Sequence, residues 1–189
     1  MTQKLWQKKP KLNYKDDVLD IVQFGSSVKE NELESKPNDI DIAVIFRKIP
    51  IKEQLDQAQE IKNQIQKLTD LPIHVKSFDL YNLFDKSNFA KESILFYGKS
   101  IINGDYFAKN LGLNPKIHLS YNLSNLKKKD KVRFNYLLNG KKGNYGLLRK
   151  YKGELISPGI IEIPSEYEDI FLESMKKITE NIKIKRILY

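Results

Sequence analysis

The sequence predicts an α/β fold of the α+β kind: a mixed-sheet core with helices packed on it, followed by a small basic α+β region. Three observations predict it. Short apolar runs at 18–24, 39–46 and 73–78 have strand character. Between the second and third lies a stretch with helical spacing. The third observation is charge: Lys127 to Lys152 holds ten basic residues and one acidic one, a balance of +9 that equals the net charge of the whole 189-residue chain.

Residues 1–14 are polar and basic and read as a loose arm, with Trp6 available to pin it by packing. From Asp17 the run Val18 to Phe24 reads as a strand meeting a tight turn at Gly25-Ser26-Ser27. After a polar loop, Asp39 to Phe46 begins in alternation and becomes wholly apolar, as a central strand does when one end faces a site. Asp39 and Asp41, two apart on a strand, share a face. Ile51, Leu55, Ala58, Ile61, Ile65 and Leu68 recur at three- and four-residue spacing, an amphipathic helix ended by Leu71-Pro72 and expected to cover the sheet. Ile73 to Phe78 forms the next strand.

Ser87 is placed to cap a helix containing Phe89, Ile94, Leu95 and Tyr97, with Gly98 as its stop and Lys99 to Asn103 as a short returning strand. The core is expected to span 15–115. A basic α+β region at 116–189 then starts with a strand at Lys116 to Leu123 and a basic helix from about Asn125 to Leu138. A Gly-rich basic loop leads to a hairpin around Ser157-Pro158-Gly159 within 154–163. Ser165 and Glu168 have capping-box spacing before a helix bearing Tyr167, Ile170, Phe171, Met175 and Ile178. Lys183 to Tyr189 suits a closing strand.

Composition narrows the chemistry. The chain has no cysteine, which excludes disulfide scaffolds, thiolate zinc sites, iron–sulfur clusters and cysteine nucleophiles together. Any metal must sit on oxygen or imidazole. No apolar stretch approaches the roughly 20 residues of a membrane span, and residues 1–14 lack the apolar segment of a secretory signal, so a cytoplasmic protein with no membrane partner is expected. The basic segment comprises Lys127, Lys128, Lys129, Lys131, Arg133, Lys141, Lys142, Arg149, Lys150 and Lys152. Charge focused in this way favours a polyanion such as nucleic acid. Phe134, Tyr136, Tyr145 and Tyr151 are interleaved with it and offer rings for unpaired bases, and Gly140, Gly143 and Gly146 permit close backbone approach. A solvated helix face followed by a loop is the plain alternative.

The constellation that carries chemistry is a Gly-Ser turn after one strand and Asp-apolar-Asp on the next, separated by residues 27–38. Gly25 lets the backbone approach phosphates without a Cβ, and Ser26 offers a hydroxyl and an amide to their oxygens. Two carboxylates one pleat apart can share a pair of divalent cations. Such cations neutralise a triphosphate during in-line displacement at phosphorus, and hard oxygen ligands suit Mg²⁺ or Mn²⁺.

Phe24-Gly25-Ser26-Ser27-Val28-Lys29 and Asn38-Asp39-Ile40-Asp41-Ile42-Ala43-Val44 resemble the motifs of the DNA polymerase β-like nucleotidyltransferase superfamily, and within it the minimal nucleotidyltransferases. Tyr97-Gly98-Lys99 looks like the element that closes the minimal domain. The resemblance covers roughly residues 15–105. It implies that Gly25, Ser26, Ser27 and Lys29 bind the nucleoside triphosphate, with ATP the expected one, and that Asp39 and Asp41 bind the metals. A third carboxylate is expected after the long helix, where this sequence has His74. That histidine either joins the catalytic set, as metal ligand or proton acceptor, or is a hydrogen-bonded strand residue in a site without chemistry. Asp79 is a more distant carboxylate, and His118, with no partner pattern, reads as structural.

Three functions follow. One is a metal-dependent enzyme moving a nucleoside monophosphate from an NTP to a hydroxyl of RNA or DNA, RNA being favoured. The second is an impaired relative that binds nucleic acid or nucleotide without turnover. The third, by analogy, is an antitoxin that modifies a partner protein.

Overall fold

The computed structural model describes residues 4–28 and 37–189, which form two compact units, Met1–Gly112 and Leu113–Tyr189. In the first unit the order is α1 (Leu5–Lys8), β1 (Val18–Phe24), a 3₁₀ turn (Gly25–Val28), β2 (Ile40–Phe46), α2 (Ile51–Gln66), β3 (Ile73–Asp79), α3 (Leu80–Phe84), α4 (Lys91–Tyr97), β4 (Lys99–Ser100) and α5 (Phe107–Asn110). The strands make a mixed sheet in the order β3-β2-β1-β4, with β2 and β3 parallel and the other pairs antiparallel.

A parallel pair requires a crossover, and α2 supplies it. Strand β2 is buried on both faces: Ile42, Ala43, Val44, Ile45 and Phe46 are all fully inaccessible. Burial of each larger apolar side chain contributes roughly 1.5–3 kcal/mol, which anchors this strand and therefore the aspartates at its start. Ile40, Ile42, Val44 and Phe46 pack with Ala58, Ile61 and Ile65 of α2 in one cluster. By alternation Asp41 lies on the opposite face.

Helix α2 is rotated from its expected face. Ala58, Ile61 and Ile65 are buried with Gln54 and Gln57, whereas Ile51 and Leu55 are 61% and 57% exposed. At 100° per residue, positions 54, 58, 61 and 65 make one narrow stripe, and Ile51 and Leu55 fall on its flank. Leu68 lies beyond the last helical residue, Gln66. The Gln54 side-chain amide donates to the Ile49 carbonyl at 3.0 Å, closing the turn that starts the helix.

Other elements also differ from expectation. Rather than a loose arm, residues 5–8 form a helical turn in which Leu5 is fully buried and its N–H donates to Gln23 Oε1 at 3.0 Å. Helix α3, with five residues, is too short to show periodicity; Asp79 caps it by accepting from the Asn82 N–H at 2.7 Å. Helix α4 begins at Lys91, so Ser87 does not cap it; the Ser87 hydroxyl donates to Asp85 instead. Phe89 is fully exposed before the helix rather than on its apolar face. The returning strand shrinks to Lys99–Ser100. Asp20, buried near the far end of β1, accepts from Ser100 Oγ and Asn110 Nδ2, both at 2.7 Å.

The second unit comprises β5 (Pro115–Tyr121), α6 (Lys128–Asn139), a small hairpin of β6 (Gly140–Lys141) and β7 (Asn144–Tyr145), α7 (Leu147–Lys150), β8 (Glu154–Ser157), β9 (Ile160–Pro164), a 3₁₀ turn (Ser165–Tyr167), α8 (Glu168–Lys176) and β10 (Ile182–Leu188). Its antiparallel sheet runs β10-β5-β9-β8. A 3₁₀ turn at Ser165–Tyr167 precedes the helix, so its N-cap is Tyr167 rather than Ser165. Glu168 is buried in an ion pair with Arg186 at 2.6 Å.

Cross-strand pairing of His118 with Glu162 gives the histidine its role. Its Nε2 lies 2.9 Å from Glu162 Oε2, which also accepts from the Tyr189 hydroxyl at 3.0 Å, and Lys116 Nζ is 3.4 Å from Oε1. Burial alone would raise the Glu162 carboxyl, but these hydrogen bonds and the lysine charge outweigh it and hold its pKa below the ordinary value. A depressed folded pKa gives stability that is complete above the unfolded pKa and disappears as pH falls through the folded one. Thermal unfolding followed from pH 7 down to pH 3 should therefore show a loss of stability that Glu162→Gln reduces. An identical pH slope in the variant would remove this cluster as the cause.

Candidate functional site

The site is built at one end of the first sheet. Strand β1 runs antiparallel to β2, with Phe24 opposite Asp41, so the turn that ends β1 is delivered beside the aspartate. Strand β3, parallel to β2, places His74 opposite Asp41 on the other side. His74 Nδ1 is 3.3 Å from Asp39 Oδ2 and 3.8 Å from Asp41 Oδ1. Thus the residue in the third-carboxylate position does meet both aspartates.

Gly25 has φ of +76°, and a Cβ there would stand 2.6 Å from Asp41 Oδ2. Two requirements coincide at this glycine: a left-handed backbone and a close approach to a carboxylate. Its N–H donates to Ser93 Oγ on α4 at 3.3 Å. Ser26 is exposed, while Ser27 is buried with its hydroxyl donating to the Phe24 carbonyl at 3.2 Å and accepting from Gln23 Nε2 at 3.0 Å. The Ser27 hydroxyl therefore holds the turn from inside. Lys29 lies outside the described residues.

The Asp41 carboxyl is held above its ordinary pKa, first by burial and then by the charge of Asp39, with His74 and Lys76 pulling the other way. Lys76 is two residues beyond His74 and so shares its face; sequence reasoning passed it over although strand alternation places it there. Ser93 was also missed, and no local pattern marks it. Asp79 is committed to capping α3, well along β3 from His74.

Two carboxylates in mutual repulsion, open to solvent on one side, suit a divalent cation. Among the described residues no three His, Asp or Glu side chains form a ready metal cage. A Mg²⁺-type ion takes one or two carboxylates and completes its shell with water and substrate phosphates, the kind of donor set that Asp39 and Asp41 offer.

In the second unit all ten cations of the basic segment are exposed. The aromatic residues among them separate into two kinds. Phe134 is buried against Tyr121, ring centroids 4.8 Å apart, and Tyr151 packs on Tyr167 at 5.0 Å, so neither is a free stacking face. Tyr136 and Tyr145 remain exposed. Arg149 lies 4.0 Å over the Tyr145 ring and Lys141 lies 5.5 Å from that of Tyr136.

A mixed sheet with a glycine turn pressed against paired strand aspartates defines a nucleotidyltransferase-type core. The chain matches the family model for a nucleotidyltransferase domain over residues 4–101, just over half its length, and it belongs to the polymerase β-like nucleotidyltransferase family. No curated protein gives a significant match to the chain. Among the described residues no helix is long and apolar enough to cross a membrane.

Proposed function

We propose that this nucleotidyltransferase moves a nucleoside monophosphate from an NTP, ATP being the expected donor, to a hydroxyl of a nucleic-acid acceptor, RNA rather than DNA. The observation that carries the reading is the Asp39–Asp41 pair seated against the Gly25 turn, with His74 3.3 Å from the first aspartate. Asp39 and Asp41 would hold Mg²⁺ or Mn²⁺, which when bound supplies neutralisation of the triphosphate's charge. The Gly25 turn lets the triphosphate come close to the aspartates, and Ser26 offers its exposed hydroxyl to phosphate oxygens. The acceptor oxygen bonds to the α-phosphorus as the bond to pyrophosphate breaks. His74 takes the proton leaving the acceptor hydroxyl. The exposed cations of the second unit hold the acceptor through its phosphates.

The test is label transfer. The protein is incubated with each α-labelled NTP, Mg²⁺ or Mn²⁺, and total RNA, a DNA oligonucleotide or lysate protein. Labelled RNA is the expected result. Label on protein alone would favour the antitoxin-type reading, and no label on any acceptor would overturn transfer.

A second reading, an impaired site that binds without turnover, is favoured by the histidine standing where the family has an acid. Two substitutions separate the readings. If His74 takes the proton, His74→Ala lowers transfer by about 10²-fold, the usual scale of general base catalysis. In an impaired site His74→Ala is neutral and His74→Asp raises transfer.

A further inference from the structure

Helix α6 presents Arg133, Tyr136 and Leu137 at i, i+3 and i+4, while Ser174 on α8 and Lys177 and Ile178 in the turn that ends it come to the same place. These six residues line a cavity of about 380 Å³. That volume lies in the range of small-ligand pockets, about 300–1,000 Å³. The residues one position along turn the other way: Phe134, Leu138 and Met175 are buried in the core and fix both helices. The cavity is therefore set on two packed helices and the turn that ends the second.

Its chemistry is asymmetric. Leu137 and Ile178 give apolar surface, Tyr136 gives a ring that is 43% exposed, and Ser174 gives a hydroxyl. Arg133 and Lys177 give two exposed cations, and among the described residues no acidic side chain lines the cavity. Lys141, from the hairpin that follows α6, adds a third positive charge 5.5 Å from the Tyr136 ring centroid. An occupant must be planar and partly apolar at one end and anionic at the other.

We infer that this cavity seats one unpaired nucleotide of a single-stranded nucleic acid, its base stacked on Tyr136 and its flanking phosphates on Arg133 and Lys177. Charge complementarity selects the partner: the cavity belongs to the unit that carries +8 of the chain's net charge of +9. A duplex keeps its bases stacked on each other and cannot present one to a side-chain pocket, whereas a single strand can. The inference deepens the acceptor reading above by requiring the acceptor to be single-stranded at the contact.

Binding, rather than transfer, tests it. Fluorescence anisotropy of the full chain is measured with a labelled single-stranded oligoribonucleotide, the same sequence in DNA, and the RNA as a duplex. Single strands should bind tighter than the duplex. Tyr136→Ala should weaken single-strand binding by about tenfold or more with an unchanged salt slope, and Tyr136→Phe should retain it. Arg133→Ala and Lys177→Ala should each reduce the salt slope by about one. Tyr136 is partly exposed, so its truncation leaves the buried core intact, which thermal unfolding checks.

Equal binding of duplex and single strand, or Tyr136→Ala binding like the parent, overturns the inference. So does an acidic polypeptide such as polyglutamate competing as well as RNA at matched charge. The outcomes are independent of catalysis. Transfer to RNA with a silent Tyr136 would leave the function standing and remove the seat, whereas loss at Tyr136 without any transfer would do the reverse.

Discussion

Replacing Asp39 and Asp41 together by asparagine should lower nucleotidyl transfer on the order of 10³-fold or more, about 4 kcal/mol in the barrier. The amides keep the shape of the side chains but remove both negative charges, and with them the affinity for a divalent cation. The fold should not suffer. Burial and the neighbouring Asp39 raise the Asp41 pKa, so its ionised form is disfavoured by folding, and this cost sets in as pH rises toward the folded value. Asparagine removes that cost, and the cation-free variant should unfold at the parent's temperature or slightly above it. Added Mg²⁺ or Mn²⁺ should raise the unfolding temperature of the parent and leave the variant unmoved. Undiminished transfer by the double variant would take the catalytic role away from this pair.

Gly25→Ala should have the next largest effect, a loss of about 10²-fold in transfer. At φ of +76° an alanine is strained by roughly 1–2 kcal/mol, and its Cβ would lie 2.6 Å from Asp41 Oδ2. One of the two must move. Displacing the turn breaks the 3.3 Å contact from its N–H to Ser93, and displacing the carboxylate spoils the pair. Ser26→Ala, which adds no atom, should cost less than Gly25→Ala. Full activity in Gly25→Ala would show that the turn is not needed where it lies, and an unfolding temperature lower by a few degrees is the accompanying expectation.

Much of the first unit was legible because its signals are local. The run Val18 to Phe24, the turn after it and the run from Asp39 to Phe46 form the elements that their patterns predict. His74 was found through the family resemblance, which expects an acid on the strand after the long helix, and the parallel pairing of β2 with β3 places it opposite Asp41. The stripe of α2 was read one flank off. Spacing identifies a helix, whereas the choice between Gln54 and Leu55 as the inward residue depends on the turn at Ile49.

The basic unit shows the same division. Its charge is a property of composition and needs no fold, but of four aromatic residues of equal promise in the sequence Phe134 proved to be buried, Tyr151 half-buried against Tyr167, and Tyr136 and Tyr145 exposed. Nothing in their spacing separates Phe134 from Tyr136. Lys177 and Ser174 are far along the chain from Arg133 and reach the same cavity through helix packing.

Residue order thus carried the mixed-sheet class, the glycine turn, the paired aspartates and the concentration of positive charge, because each is a short-range pattern or a sum over residues. Tertiary structure decided that Ser27 faces inward, that Ser93 reaches Gly25, that Asp79 caps a helix and that Tyr136 opens onto a pocket. Those outcomes depend on which atoms meet after distant segments pack, and the energy of such contacts is shared between partners that no local window contains.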